Sequence, residues 1–307
     1  MRVLCGVDGS PAAAEAVRQV SHLLAPGQDE LAFYFSPPAL HVEGEKYLEP
    51  RVLAHVRQGL VSAVFDAARS ALPLALRHKV HEIVGEQDAR HGLLAAAAQW
   101  HAELIVLGAR GLGRVERWLL GSVSSYVARA AHLPVLVVRQ RRERPDYDAL
   151  RVLFACDGSQ ASRQAAEFLW QFHWPARSTG LVLTVMESPL GSPLPEWLQS
   201  QLEQPEAQGV AEAWRRHHEL AEQARRQEAA EFCRQLPAPF QEHRPLVSEG
   251  QAAERILHAL DAEDIDLVVL GSHARRSLLK TWLGGTSEKV LSHAPCSVLI
   301  VPEQESP

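Results

Sequence analysis

The sequence RVLCGVDGS occupies residues 2–10, and RVLFACDGS follows at residues 151–159, an offset of 149. Each stretch is a short apolar run that ends in Asp-Gly-Ser, a pattern typical of a buried strand followed by a turn and a helix start. A second matched pair, LIVLG at 104–108 and LVVLG at 267–271, repeats at an offset of 163. These internal repeats indicate one domain duplicated within the chain.

The two copies differ in length. Because the offset grows from 149 to 163, the second copy carries 14 extra residues, which we place in the Pro-, Gln- and Glu-rich segment 189–209 on its loop composition. The polar run RQRRERPDYDAL at 139–150 contains a proline and separates the copies. We therefore predict a first domain at residues 1–140, a linker at 141–149 and a second domain at 150–303.

Apolar runs alternate with segments of helical composition throughout each copy, as in PAAAEAVRQVSHLL (11–24) and ARHGLLAAAAQWH (89–101). This alternation predicts an α/β fold with two doubly wound domains, each a parallel sheet covered by helices on both faces. The last strand candidates, VLVV at 135–138 and VLIV at 298–301, are short and wholly apolar. Left uncovered they would be adhesive sheet edges, so we predict that they pair with each other.

Composition and charge limit the class of protein. The 307 residues are 46% apolar and 22% charged, as in ordinary globular chains. The formal net charge of −6, with no long block of one sign, does not indicate a nucleic-acid partner. The start MRVLCGVDGS does not resemble a signal peptide, and no stretch approaches the ~18 apolar residues of a membrane span. We expect a cytoplasmic protein with no membrane partner.

Cysteine and histidine spacing does not indicate a metal site. The four cysteines, Cys5, Cys156, Cys233 and Cys296, are scattered without a CxxC pair, so we interpret them as buried reduced thiols rather than redox or metal-binding groups. Of the 15 histidines only two are adjacent, in WRRHHEL at 214–220, and none has a recognisable ligand spacing. We therefore predict no side-chain metal site.

The glycine-rich stretch LGARGLGRVERWLLGSVSS, residues 107–125, follows a buried strand and so lies at the sheet edge where doubly wound folds bind ligands. A helix starts near Gly121, and its unpaired N–H groups and positive dipole suit a phosphate. Ser122 and Ser124 add hydroxyl donors, and Arg110 adds positive charge. The alternative is a tight strand-to-helix turn that needs glycine only for its conformation.

The spacing Gly108-x2-Gly111-x9-Gly121-Ser122 resembles the G-2x-G-9x-G-(S/T) nucleotide loop of the universal stress protein family. CGVDGS at 5–10 resembles the first strand of that family, and PVLVV at 134–138 resembles its closing strand. The resemblance covers nearly the whole chain twice, as in the tandem members of the family.

This resemblance implies five-stranded parallel sheets of order 3-2-1-4-5. It also implies ATP, or AMP or ADP, bound across the strand ends, with Mg²⁺ accompanying a triphosphate. It implies that Asp8 contacts the adenosine and that the backbone of Phe35 lies near the adenine edge. The residues that it implies around the ribose and phosphates are Gly108, Gly111, Gly121, Ser122, Val123 and Ser124.

The second copy departs from this pattern in GSHARRSLLKTWLGGTS, residues 271–287. Ala274 replaces the second glycine, and Gly285 stands at the Ser/Thr position. The second site is either weakened or specialised for another adenine ligand, or it is empty and serves as a structural partner, which is the interpretation we favour. Its candidate positions are Asp157, Val185, Gly271, Ala274, Gly284, Gly285, Thr286 and Ser287.

We therefore expect a nucleotide-responsive stress or regulatory module. Two alternatives stay open, a nucleotide-independent interaction scaffold and a weak ATP hydrolase, although no local signature of a Ser/His/Asp set supports catalysis. The predicted partners are the adenine nucleotide and, within the chain, the other domain. A homodimer or a regulatory protein is left open as a further partner. The stretch from Trp214 to Cys233 is interpreted as a solvated amphipathic helix, with partner docking as its alternative.

Overall fold

The structure, a computed structural model, describes residues 1–38, 50–86, 88–110, 120–140, 148–187, 208–273, 275–277, 280–282 and 284–304. Residues 1–140 are termed the first half and residues 148–304 the second half. The elements of the first half are β1 (Arg2–Gly6), α1 (Pro11–Ser21), β2 (Glu30–Phe35), α2 (Pro50–Ser70), β3 (Val80–Val84), α3 (Ala89–Gln99), β4 (Leu104–Gly108), α4 (Ser122–Ala130) and β5 (Val135–Val138).

The second half repeats this order with a longer connection before its third strand. Its strands and helices are β6 (Arg151–Ala155), α5 (Gln160–Leu169), β7 (Thr179–Met186), α6 (Gln208–Cys233), a 3-10 turn (Ala238–Phe240), β8 (Leu246–Glu249), α7 (Ala252–Ala262), β9 (Leu267–Ser272), β10 (Arg275–Ser277), β11 (Lys280–Trp282), α8 (Gly285–His293) and β12 (Ser297–Pro302). The strands β10 and β11 form a separate antiparallel pair.

Ten strands form one continuous sheet in the order β3-β2-β1-β4-β5-β12-β9-β6-β7-β8. All neighbours within each half are parallel, and each half has the predicted order 3-2-1-4-5. Strands β5 and β12 are antiparallel, with Val137 opposite Val298 and Val135 opposite Ile300. The predicted pairing of the closing strands is confirmed. Because this junction is antiparallel, the strands of the two halves end at opposite edges of the sheet.

The central strands are buried on both faces, which explains their continuous apolar runs. Leu104 to Val106 in β4 and Leu136 in β5 are fully inaccessible to solvent. One apolar cluster contains Phe33 of the first half and Phe154 of the second. A second cluster, built from the strand side chains that alternate with these, contains Ile105 of the first half and Val268 of the second. Both halves therefore share one core across the junction.

Polar groups also join the two halves. The Ser297 hydroxyl donates to Gln19 Oε1 at 2.7 Å, in a fully buried position. The guanidinium of Arg139 donates to the carbonyl oxygen of Leu291 at 2.8 Å. A cation of the first half therefore caps the last turn of α8 in the second half. Burial lowers the pKa of Arg139. The seam is therefore a packed and hydrogen-bonded interior rather than a loose contact.

The register of the sheet locates the extra residues of the second half. Phe35 pairs with Val84 in the first half, and Thr184 pairs with Val247 in the second. The offset between the copies is thus still 149 at Thr184 and already 163 at Val247. The insertion lies between β7 and β8, where the sequence placed it, although residues 188–207 fall outside the described residues.

All four cysteines are buried and unpaired, as predicted. Burial raises the pKa of the Cys156 thiol to about 11 and that of Cys296 to about 12, so both thiols stay protonated and unreactive near neutral pH. Across the described part of the chain, no helix has the length and apolar character needed to cross a membrane.

Candidate functional site

A cleft of about 510 Å³ opens at the carboxyl edge of the first-half sheet. Its floor and walls come from the ends of β1, β2 and β4 and from the first turns of α1, α3 and α4. Eight of the nine positions that the sequence singled out line this cleft together: Asp8, Phe35, Gly108, Arg110, Gly121, Ser122, Val123 and Ser124. The ninth, Gly111, lies outside the described residues.

One end of the cleft is the N-terminus of α4. Gly121 is the N-cap residue of this helix, and no described side chain caps it. In contrast, Ser10 caps α1 and Asp88 caps α3 with their side-chain oxygens. The first-turn N–H groups of α4 therefore lack the usual side-chain acceptor, and an anion in the cleft would supply one.

Hydrogen bonds fix the turn that precedes α4. The Gly121 N–H donates to the carbonyl oxygen of Ala109 at 2.7 Å, and the buried Ser124 hydroxyl lies 3.1 Å from the same oxygen. A Cβ added at Gly121 would stand only 3.3 Å from Ala109 O and from Ser124 Oγ. Ser124 thus holds the turn, whereas the sequence had suggested it as a ligand donor.

Packing alone requires a glycine at position 108. A Cβ there would lie 2.7 Å from the carbonyl carbon and oxygen of Ala12, which is backbone that cannot yield easily. Gly271 is in the same position in the second half, where an added Cβ would lie 2.5 Å from the carbonyl carbon of Ala161. These two glycines let α1 and α5 approach β4 and β9, whether or not a ligand binds.

Asp8 lies half-buried at the floor of the cleft, directly after β1. Its Oδ1 accepts the backbone N–H of Ser10 at 2.9 Å, and the Ser10 hydroxyl in turn accepts the N–H of Ala13 at 3.2 Å. Gly9 between them has φ +80°, a conformation that favours glycine. The sequence Asp-Gly-Ser therefore folds into one rigid turn that presents the Asp8 carboxylate to the cleft.

The other end of the cleft is apolar and includes residues that the sequence did not single out. Tyr34 and Ser36 flank Phe35 at the end of β2, and Ala89 and Leu93 of α3 also line the cleft. Strands β2 and β4 are both neighbours of β1, so the two ends of the cleft lie about 10 Å apart. The apolar run ELAFYF, residues 30–35, predicts a buried strand here but does not show which of its residues reach the cleft.

Tyr34 is almost completely buried, and its hydroxyl has no hydrogen-bond partner among the described residues. The hydroxyl lies against Gly85, where an added Cβ would be 2.0 Å away. Burial raises the pKa of Tyr34, and the carboxylate of Asp88 adds to this rise. The side chain of Ser36 acts in the opposite direction on that pKa, although it is not in hydrogen-bond geometry with the phenol.

The corresponding aspartate of the second half has protein partners of its own. Asp157 is exposed, and its Oδ1 accepts the N–H of Ser159 at 3.0 Å and the hydroxyl of Ser162 at 2.5 Å. Burial opposes the charged form, but these hydrogen bonds and nearby His273 hold the pKa of Asp157 below its usual value. Ala13 is the first-half counterpart of Ser162, so Asp8 has no equivalent hydroxyl.

Charges around the second helix start also differ. His273 stands at the position of Arg110, with its Nδ1 2.6 Å from Glu303 Oε2 and its Nε2 3.9 Å from Asp157 Oδ2. Glu288 lies in the first turn of α8, where the first half has Ser125. Glu288 therefore places a carboxylate in the first turn of α8, where a negative charge opposes the binding of an anion.

Glu288 also forms an ion pair across the junction. Its Oε2 accepts from Arg129 Nε of α4 at 2.9 Å, and its other oxygen contacts the same guanidinium. The N-cap of α8 is Gly284, again without a side-chain cap. Gly285 is the counterpart of Ser122, so the second half has no hydroxyl group at this position. Of the remaining predicted positions, Thr286 is half-buried beside Gly285, and Ser287 Oγ lies 3.5 Å from Gly271 O.

Two sequence assignments for the second site need separate comment. Ala274 lies outside the described residues. Val185 was expected among the second-site positions, but the structural counterpart of Phe35 is its neighbour Thr184. Cys156 N–H donates to Leu183 O as Val7 N–H donates to Tyr34 O. The insertion begins only after this strand, so the offset of 149 still applies there.

The sequence profile of the universal stress protein family matches residues 1–139 and 149–302. A universal stress protein of Mycobacterium tuberculosis is 27% identical over 327 residues, covering 99% of this chain and 96% of the relative. One from Thermus aquaticus is 31% identical over 150 residues, covering 49% of this chain and 96% of the relative.

Among solved structures, a universal stress protein from Archaeoglobus fulgidus superposes with a TM-score of 0.63 at 17% identity, covering 99% of this chain and 98% of that one. At that identity the likeness concerns the fold alone. The two profile matches together span nearly the whole chain, with one match in each half. The chain therefore belongs to the universal stress protein family, in its tandem arrangement.

Proposed function

We propose that the first half binds an adenine nucleotide in its cleft and that the protein acts as a nucleotide-responsive module of the stress-response type. The observation that carries this proposal is a single cleft with an uncapped helix N-terminus and Arg110 at one end, Asp8 on its floor and an apolar wall at the other end. The volume of about 510 Å³ is in the usual range for a small-molecule site.

The α4 end of the cleft suits the phosphates. The backbone N–H groups of the first turn, the positive end of the helix dipole and the side chain of Arg110 all favour negative charge there. The missing side chain at Gly121 leaves room for close approach, because even one added carbon would already crowd Ala109 and Ser124. Backbone groups rather than long side chains would thus hold the anion.

The floor and far wall suit the nucleoside. The Asp8 carboxylate, fixed by the turn at Gly9, is an acceptor for ribose hydroxyls. The apolar wall around Leu93 and Phe35 suits a planar base, and the separation of about 10 Å between β2 and β4 leaves space for a sugar between base and phosphate. With a triphosphate, Mg²⁺ would accompany the ligand and offset its charge. Asp8 is the carboxylate among the described lining residues of the cleft, so it is the side chain suited to contact such an ion.

The second half is the structural partner in this proposal. Asp157 is engaged by Ser159 and Ser162, and the first turn of α8 already carries the Glu288 carboxylate, which is paired with Arg129. An anionic ligand at this helix start would lie near the carboxylate. It would also lack a hydroxyl donor, because Gly285 stands at the position of Ser122. We take residues 1–140 as the nucleotide domain and residues 150–303 as its partner, joined by the linker 141–149.

Isothermal titration calorimetry of the full chain with ATP, ADP and AMP tests the proposal. Gly121→Val should weaken binding at least about tenfold, because the added atoms enter the cleft next to Ala109 O. Gly284→Val is the matched control at the same position of α8, where no atom of the described residues lies within 4 Å of an added Cβ. It should bind as the wild type does. Absence of binding to the wild type, or equal loss in both variants, would overturn the proposal.

A further inference from the structure

We propose that Asp88, Arg90 and His91 of the α3 start and Tyr126 of α4 form a clamp that holds two walls of the first-half cleft at the spacing a nucleotide requires. This group is termed the α3–α4 clamp. Its members are positioning residues, because the cleft itself is lined by their neighbours on the two helices. The inference rests on the proposed function, since it concerns how the same cleft is kept ready for its ligand.

The α3–α4 clamp joins two helices that contribute different parts of the cleft. The start of α3 provides the apolar residues Ala89 and Leu93, and α4 provides the uncapped N-terminus and Val123. Tyr126 lies about one turn beyond Val123, and α3 and α4 pack against each other. In the proposed function α3 contacts the base and α4 the phosphates, so the distance between these helices must match the length of the ligand.

The side chain of Tyr126 receives two contacts from α3. The guanidinium carbon of Arg90 lies over the Tyr126 ring, 5.7 Å from its centre, which is a cation–π arrangement. The His91 ring is tilted by 58° against the same ring, with 5.1 Å between the ring centres. Two side chains of α3 thus hold one aromatic ring of α4.

The carboxylate of Asp88 fixes the α3 side of the clamp. Its Oδ1 accepts from Arg90 Nε at 2.9 Å, and its Oδ2 accepts from a second guanidinium nitrogen of Arg90 at 3.3 Å. The same Oδ1 accepts the backbone N–H of Arg90 at 3.1 Å, which caps α3, and lies 3.4 Å from His91 Nδ1. One carboxylate therefore caps the helix and contacts both side chains that hold Tyr126.

The second half keeps the two helices but not the clamp residues. Helices α7 and α8 pack against each other as α3 and α4 do. At the offset of 163 the four clamp positions are occupied by Gln251, Ala253, Glu254 and Lys289. Gln251 is the N-cap of α7 and forms no side-chain cap. The packing of this helix pair therefore does not require the clamp, which occurs in the half whose cleft we assign to the nucleotide.

Calorimetric titration of the full chain with ATP compares Tyr126→Leu with Tyr126→Phe. Leucine retains an apolar contact with the cluster under Tyr126 but removes the aromatic face, whereas phenylalanine keeps the ring. Tyr126→Leu should bind ATP about two- to fivefold more weakly, because the ligand must then also order the two walls. Tyr126→Phe should bind as the wild type does. Arg90→Gln, which removes the cation and keeps the Asp88 cap, should lose about twofold.

Hydrogen–deuterium exchange of α3 distinguishes positioning from a general loss of stability. In nucleotide-free Tyr126→Leu the amides of α3 should exchange faster than in the wild type, and saturating ATP should restore the wild-type protection. If Tyr126→Leu does not fold, Arg90→Gln carries the same two measurements.

Unchanged exchange in the free variant, or exchange that stays fast with ATP bound, would overturn the inference. Wild-type affinity of Tyr126→Leu for ATP would also overturn it, while leaving the proposed function intact. If the wild-type protein binds no ATP, the proposed function fails and this inference fails with it.

Discussion

The two halves of this duplicated chain keep the same packing where their fourth strand leads into the next helix, but they differ in charge there. Both have the strand order 3-2-1-4-5, a strand-end glycine against helix backbone, and a helix that starts without a side-chain cap. Around the first helix start stand Arg110 and Ser122, and around the second stand His273 and Gly285 with Glu288 in the first turn. The packing and the charge of this strand-to-helix connection therefore depend on different residues.

The differences also show what replaces a ligand. Asp157 accepts the hydroxyl of Ser162 and lies near His273, whereas the equivalent Asp8 has Ala13 and Arg110 around it. In the second half the charged groups satisfy one another within the protein. In the first half the cleft retains a helix N-terminus that no described side chain caps.

The largest expected effect concerns the feature that both halves share. Gly108→Ala and Gly271→Ala each force a methyl group to within 2.7 Å or less of helix backbone. Each should lower the free energy of unfolding by about 1–3 kcal/mol, because α1 or α5 must move away from the sheet. Urea denaturation measures the change. A variant as stable as the wild type would show that the glycine serves the ligand and not the packing.

The next effect separates the two aspartates. Asp8→Asn should weaken nucleotide binding by about tenfold or more, because a hydrogen bond to a charged group is worth about 1.5–3 kcal/mol. Asp157→Asn at the equivalent position should leave the affinity unchanged. Calorimetric titration of both variants with ATP gives the comparison. Equal losses would mean that both clefts are occupied.

A charge exchanged between the helices should have a smaller effect. Ser125→Glu places in the first turn of α4 the carboxylate that Glu288 provides in α8. Affinity for ATP should fall by about two- to tenfold at low salt, since a charge at a helix end is worth about 0.3–1 kcal/mol and more when partly buried. Ser125→Gln is the neutral control. A loss that persists unchanged at high salt would point to a steric cause.

The smallest effect is on acid stability. The pKa of Asp157 is lower in the folded state than its ordinary value near 3.9, so the carboxylate contributes stability above about pH 4 that is lost as the pH falls through the folded pKa. Both Asp157→Asn and Ser162→Ala should therefore lose less Tm than the wild type between pH 5 and pH 3. Parallel Tm curves for all three proteins would contradict the assigned hydrogen bonds.

Local sequence patterns predicted the duplication and the α/β class, whereas the strand order 3-2-1-4-5 came from the family resemblance. Buried runs such as LIVLG, the repeated Asp-Gly-Ser turn and the apolar closing strands leave few arrangements other than a doubled parallel sheet joined at β5 and β12. Spacing also brought together the positions at the α4 end of the cleft. These features depend on residues that are close in sequence or that repeat.

What the sequence did not reveal depends on contacts between distant elements. Gly108 is required because the backbone of Ala12 in α1 packs against it. The wall of the cleft combines Tyr34 of β2 with Leu93 of α3. The sequence analysis counted Val185 among the second-site positions, whereas the offset of 149 and the register of β7 make Thr184 the counterpart of Phe35. Periodicity shows which residues are buried but not which of them reach the sheet edge.

The most direct test of this account is the stoichiometry of bound nucleotide in the intact chain. Native mass spectrometry of the full-length protein, equilibrated with excess ATP, counts the ligands that each chain retains. The account predicts one adenine nucleotide per chain, bound in the first half. Two per chain would contradict a silent second half, and none would contradict the nucleotide site itself.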